Sequence, residues 1–376
     1  MQRLRVGMII QAYAVVGGAE QQLANLAPAL ERVGVDVHIV TRRTPGAPRE
    51  LAIPGATLHA VGGEGGSKVK ASLTYTGAAL PLLRKLRPHA LHTHDLYSPT
   101  TIACLAKPIT GAGIVAKSNC GGEFGNVARM RAKRGGPQRL AWFRRTVDAF
   151  AVISDEIDQE LADIGVAPDR RVRIPNGVDV ARFSPGGLDR AALRGALGQG
   201  DAPLVVYTGR FNRQKGTDVL LKAWRQVAVQ RPDARLLLVG TPRDPDVPSW
   251  DTDQPGVVVM GPRPDVAPIL RGADVFVNAS RAEGLSNSLL EALSVGMPVV
   301  ATDIGGNREI VHHERSGLLV PADDEHALAA GILRALTDET ATSWGAAART
   351  EMVASYSLDS VAERLAELYE RVGRHR

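Results

Sequence analysis

Hydrophobic positions along the chain fall into short, mostly apolar runs, separated by stretches with helical spacing. In the first half the runs are Leu4–Ile10, Val35–Val40, Ala90–His94, Ile114–Lys117 and Ala149–Ile153. Runs of this length, bounded by turn residues, predict strands. Between the first two, Leu23, Leu26, Ala27 and Leu30 share one face of a helix predicted over Glu20–Val33, with Gly34 as its stop. A second series starts near residue 203: strands over Pro203–Thr208, Arg235–Val239, Val257–Met260, Ala273–Asn278 and Pro298–Thr302, with a helix over Asp218–Gln230. Another helix is expected from about Ser288 to Val295, capped by Ser286 or Asn287 and stopped by Gly296 and Pro298. Strand–helix alternation throughout predicts two parallel α/β layers. The halves meet around Phe183–Ala202, which is rich in Gly and Pro. The expected division is a domain over 1–183, a linker over 184–202, a domain over 203–355 and a tail over 356–376 with a helix at Leu358–Val372.

Composition narrows the class. A chain of 376 residues, 44% hydrophobic and 23% charged, suits a soluble two-domain protein. The two cysteines, Cys104 and Cys120, form no metal motif and suggest a reducing compartment. Met1 leads almost directly into a strand, so no secretory signal is expected, and no apolar run is long enough to span a membrane. The expected location is the cytoplasm, with peripheral attachment to the inner membrane face. Charge is uneven: residues 1–188 carry 24 Lys+Arg against 15 Asp+Glu, net +9, and residues 189–376 carry 21 against 25, net −4. The basic half suits an anionic partner such as an acidic membrane surface, a lipid-linked phosphate or nucleic acid; an ordinary solvated surface is the alternative.

The candidate chemistry clusters after strands. Glu283 and Glu291 stand eight positions apart, spanning a Gly-containing turn and a helix N-terminus. Free N–H groups and the helix dipole at such a place attract a phosphate. Carboxylates on both sides suit a phosphate flanked by hydroxyl-rich groups, the layout of a nucleotide sugar. Arg210 and Lys215, bracketed by Gly209 and Gly216, follow the strand at 203–208 and can neutralise a diphosphate. Gly17 and Gly18 follow the first strand and let a ligand approach the backbone. His94 ends a strand and can act as acid, base or donor, whereas His92 reads as structural. The segment Arg129–Arg145 is strongly basic and suits anionic headgroups or an acceptor phosphate, with a solvated face as the alternative. Asp244, Asp246, Asp251 and Asp253 lie in a Pro-rich stretch and read as surface loop. Neither half carries G-x-G-x-x-G after its first strand, which disfavours a dinucleotide oxidoreductase.

Taken in order, Gly17-Gly18-Ala19-Glu20, His94, Ile153-Ser154, Pro175-Asn176-Gly177, Gly209 through Gly216, Gly261-Pro262-Arg263 and the Glu283–Glu291 pair resemble a retaining glycosyltransferase of family four. The resemblance covers nearly the whole chain. It implies the GT-B fold, two Rossmann-like domains facing each other across a cleft, with the tail helix packing back on the first. It implies that Arg210 and Lys215 grip the donor diphosphate, that Glu283 contacts the donor sugar and Glu291 the ribose. Backbone at Leu285, Ser286, Asn287 and Ser288 would reach the phosphates, Arg263 the base, Gly17 and Gly18 the diphosphate, and His94 the transferred sugar. No metal and no cofactor beyond the donor, a UDP- or GDP-sugar, are implied, and no nucleic acid. One departure stands out: many relatives carry a histidine near 115, where this chain has Lys117 through Asn126. Asn119, Gly121, Gly122, Arg129, Arg131, Lys133 and Arg134 are the acceptor-side candidates.

The implied activity is transfer of a sugar to a lipid-linked or polysaccharide-precursor acceptor, or to a soluble small molecule. A nucleotide-sugar epimerase would need a second acid/base set that is not evident. A non-catalytic sensor would not need every donor contact. Product analysis separates these.

Overall fold

The computed structural model describes residues 3–13, 18–44, 49–63, 67–186, 190–242 and 250–373. The chain divides into two compact units, Met1–Gly177 with Leu358–Arg376, and Val178–Ser357.

The first unit is built on an eight-stranded sheet. Its strands are β1 (Leu4–Ile10), β2 (Val35–Arg42), β3 (Glu50–Ile53), β4 (Ala56–Val61), β5 (Ala90–Thr93), β6 (Gly113–Lys117), β7 (Ala149–Val152) and β8 (Arg171–Arg173). Their order is β3-β4-β2-β1-β5-β6-β7-β8, parallel except for the β3–β4 hairpin. β5, β6 and β7 are buried along their whole length, as expected of central strands covered on both faces. The tail helix Leu358–Gly373 lies in this unit and packs on β1, β5, β6 and the helix Gly18–Arg32. It buries Val361, Leu365, Leu368, Tyr369 and Val372, at the i, i+4, i+7, i+8, i+11 spacing of one helix face.

The second unit carries β9 (Leu204–Thr208), β10 (Arg235–Val239), β11 (Val257–Gly261), β12 (Val275–Asn278), β13 (Val299–Thr302) and β14 (Leu318–Val320). These form a fully parallel sheet in the order β11-β10-β9-β12-β13-β14. Trp224, fully buried in the helix Thr217–Gln230, anchors one side of the core and donates its indole N–H to Pro255 O at 2.9 Å.

The domain boundary differs from the sequence expectation. The chain leaves the first unit at Gly177 rather than 183. Residues 190–202 belong to the second unit, where the helix Arg190–Ala196 packs on the helix Ala267–Gly272. Arg194 fixes it there through Gly272 O at 3.2 Å and the Asp274 carboxylate at 3.1 Å. A Gly/Pro-rich composition marks turns; it does not report this contact, which depends on a carboxylate eighty residues away.

Candidate active site

Among the parallel strands of each sheet the chain order reverses direction between β1 and β5 in the first unit and between β9 and β12 in the second. Open α/β sheets bind ligands beyond the C-terminal ends of the strands at that point.

In the second unit, β9 ends at Thr208, Gly209 follows, and the loop closes through Asn212, whose side chain accepts from Lys215 N at 2.8 Å. Gly216 follows with φ +64, and a Cβ there would lie 1.8 Å from Ala279 O. Only glycine lets this loop rest against the end of β12. That approach delivers Lys215 Nζ to Glu283 Oε1 at 2.5 Å. Ser280 Oγ donates to the same oxygen at 2.8 Å. Ser280 is fixed in turn: its N–H donates to Asn278 Oδ1 at 3.1 Å, and its carbonyl accepts from Thr302 Oγ1 at 2.5 Å. Asn307 Nδ2 donates to Thr302 O at 2.9 Å and lies 3.3 Å from Asn278 Oδ1. The turn therefore enters the helix Asn287–Val295 in one geometry, with Ser286 as N-cap accepting from Leu289 N.

Arg210 is half-buried at the end of β9. Its carbonyl accepts from the buried Tyr207 hydroxyl at 2.8 Å, and its guanidinium has no hydrogen-bond or ion-pair partner among the described residues. Lys215 has three N–H donors, of which Glu283 takes one. Glu291 lies on the capped helix, and burial pushes its carboxyl up to about 7, with Arg182 pulling the other way. Arg182 is itself paired with Asp265 at 2.9 Å. Arg263 is exposed just beyond β11. The second unit thus brings Arg210, Lys215, Glu283 and the Ser286-capped turn to the sheet edge at the reversal. Asp251 is ion-paired with Arg225 at the surface, and Asp244 and Asp246 lie outside the described residues.

In the first unit, His94 N donates to Ile9 O at 3.0 Å, which places the residue across the β1–β5 reversal. Its ring stacks on His92 with centroids 4.5 Å apart. His92 Nδ1 lies 2.6 Å from the Tyr369 hydroxyl of the tail helix. Burial together with the nearby Lys117 charge holds His94 down to about 3, so it is neutral at pH 7 and suited to hydrogen bonding rather than proton transfer. Asn119 Nδ2 donates to His94 O at 2.7 Å. Gly122 N donates to Glu160 Oε1 at 2.6 Å, and a Cβ on Gly121 would lie 2.7 Å from Glu156 Oε2. Arg129, Arg131, Lys133 and Arg134 are exposed, with Lys133 Nζ 4.1 Å above the Tyr97 ring and Arg129 over Phe124. Gly18 opens the first helix, while Gly17 lies outside the described residues.

Sequence reasoning missed Ser280, Asn278, Thr302 and Asn307, small polar residues that become site supports only through tertiary contact. It also left Lys117 without a role. The available signal was a lysine closing an otherwise apolar strand.

Two family models match the chain, Glycosyltransferase Family 4 over residues 16–182 and Glycosyl transferases group 1 over residues 202–338. The chain is 30% identical to a D-inositol 3-phosphate glycosyltransferase of Pseudarthrobacter chlorophenolicus, over 87% of this chain and 83% of that protein. It is 26% identical to the phosphatidyl-myo-inositol mannosyltransferase of Mycolicibacterium smegmatis, over 98% and 94% of the two chains. Among solved structures, Anabaena Alr3699/HepE in complex with UDP and glucose superposes with a TM-score of 0.79 over 98% of this chain and 100% of that one, at 17% identity. That likeness speaks to the fold.

Proposed function

The chain belongs to glycosyltransferase family four and moves a sugar from a nucleotide-sugar donor; on that premise we propose that it is a retaining enzyme whose acceptor is a phosphate-bearing polyol, presented on a lipid at the membrane surface. The Lys215–Glu283–Ser280 cluster, set beside the Ser286-capped helix at the strand-order reversal, is the observation that carries the donor reading. The names of the two relatives, one for inositol 3-phosphate and one for phosphatidyl-myo-inositol, support the acceptor class. The exposed Arg129, Arg131, Lys133 and Arg134 support an anionic surface as its setting. No helix among the described residues is long and apolar enough to cross a membrane.

In this reading the diphosphate lies over Arg210, Lys215 and the capped turn. Negative charge builds on the departing phosphate oxygen, and fixed cations aimed there lower the barrier without a metal. Glu283 accepts from sugar hydroxyls and Glu291 from the ribose. The acceptor attacks from the leaving-group side, and a donor phosphate oxygen takes its proton. A glycosyl-enzyme adduct trapped on any carboxylate would overturn that route in favour of double displacement.

The test is thermal stability against UDP, GDP, ADP and dTDP, each with and without Mg²⁺. A ligand at 100 times its Kd stabilises by about 2.7 kcal/mol. One nucleotide, UDP or GDP, should raise the midpoint by several degrees irrespective of metal. No shift with any of the four sinks the donor site. Sedimentation with phosphatidylinositol-containing vesicles separates the acceptors: a chain that stays in solution favours a soluble polyol phosphate.

Glu291 gives this site a pH signature. Its folded carboxyl sits near 7, above the ordinary value of 4.5, so ribose hydroxyls that require the ionised form must drive off a proton below that pH. The affinity of the nucleotide found above should fall as pH drops from 7 to 6, by up to about tenfold per unit. Glu291→Gln should bind more weakly and lose that part of the slope. An identical slope in the variant assigns the titration elsewhere.

A further inference from the structure

Among the described residues, the first unit holds a buried cation without an ion-pair partner. Lys117 closes β6, is 7% exposed, and directs Nζ to Asn176 Oδ1 at 2.6 Å. That single neutral partner uses one of three N–H donors. The titratable groups close to Lys117 are His92 of β5 and His94 just beyond it, and neither is an anion. Tyr369 from the tail helix is held neutral by burial. The nearby carboxylates face other cations, Asp95 toward Lys133 and Arg139 and Glu160 toward Arg131. Register places the lysine against the histidines: His92 pairs with Val115 and Thr93 with Ala116, so His94 and Lys117 extend the two strands side by side. Side chains alternate along a strand, so His92, His94, Val115 and Lys117 share one sheet face. His94 is 3% exposed, and its Nε2 has no hydrogen-bond partner among the described residues.

Buried charges are ordinarily paired, and buried polar atoms are ordinarily hydrogen-bonded. Here a cation and a neighbouring ring nitrogen are both unsatisfied at the strand ends where this sheet type takes its ligand. A hydrogen bond to an amide explains the position of Lys117 but not its charge, since a neutral donor would serve Asn176 as well.

We propose that Lys117 and His94 form an anion subsite that takes a phosphate group of the substrate, with Lys117 supplying the charge and His94 Nε2 a hydrogen bond. The subsite rests on the transferase reading above. Two substrate groups have this chemistry, the acceptor phosphate and the donor diphosphate.

The experiment compares the wild-type chain with Lys117→Met and Lys117→Arg by thermal shift. The probes are glucose 1-phosphate, glucose and UDP, at matched ionic strength and pH 7. Glucose 1-phosphate should stabilise the wild type and glucose should not. In Lys117→Met its affinity should fall roughly tenfold or more, with partial retention in Lys117→Arg. An unchanged UDP shift in Lys117→Met assigns the subsite to the acceptor, and a parallel loss of UDP affinity assigns it to the donor diphosphate. Equal binding of both anionic probes by wild type and Lys117→Met overturns the subsite. No UDP shift even in the wild type instead condemns the donor reading. Should Lys117→Met fail to fold, the wild type decides alone. Burial holds Lys117 down to about 8, so glucose 1-phosphate binding should persist at pH 7 and fade by pH 9.5. Undiminished binding at pH 9.5 overturns the proposal equally.

Discussion

Lys215→Ala should lower kcat/KM by roughly 10²–10³-fold, the range seen when one group aimed at developing charge is removed. The variant will also be less stable, and the two losses must be separated. Lys215 and Glu283 form a half-hidden pair, with side chains 19% and 8% exposed. Removing the lysine leaves the Glu283 carboxylate buried with Ser280 as its remaining donor. Breaking a buried pair from one side costs about 3–5 kcal/mol. Replacing both partners with apolar residues of similar length is often neutral. The informative variant is therefore Lys215→Met combined with Glu283→Leu. Its melting temperature should return toward the wild type, while its turnover stays as low as that of either single variant. Recovery of both would make the pair a structural strut and remove it from the chemistry. Recovery of stability alone places it in the transfer step.

The same pair shows what the chain discloses before folding. Arg210, Lys215, Glu283 and Glu291 are legible because each sits at a fixed offset from an apolar run, a glycine and a capping residue, all local signals. Gly216 is legible as a turn residue, but not as the point where the loop touches Ala279 O, a contact sixty-three positions distant. Ser280, Asn278, Thr302 and Asn307 carry no local signal, because serine, threonine and asparagine are common in loops and gain meaning only as a bonded set. The short strands β3, β4 and β14 escape for a related reason. β3 is exposed, β4 is largely half-buried, and β14 has three residues, too few to show a period. The Gly/Pro-rich composition around 184–202 marks turns and does not report that Arg194 and Asp274 decide where the helix Arg190–Ala196 lies.

Lys117→Met should make the protein more stable at pH 7, which is the reverse of what removing a structural residue does. Burial brings this lysine from the ordinary 10.5 down to about 8. The ammonium is therefore worse off folded than unfolded, by on the order of 3 kcal/mol at about 1.4 kcal/mol per pH unit. Loss of the hydrogen bond to Asn176 returns about 1 kcal/mol of that. The remainder, about 2 kcal/mol, should raise the midpoint by several degrees, at roughly 2–4 °C per kcal/mol for a unit of this size. The sign of the pH dependence follows from linkage. Between pH 8 and 10.5 the unfolded chain binds more protons at this residue than the folded one, so the penalty shrinks as pH rises. The advantage of Lys117→Met should be full below pH 8 and gone above 10.5. A variant less stable than the wild type at pH 7 would show that the Asn176 bridge outweighs the buried charge and that Lys117 is there to hold the fold. A more stable variant that has lost its hold on glucose 1-phosphate would show a destabilising charge retained because a substrate anion completes it.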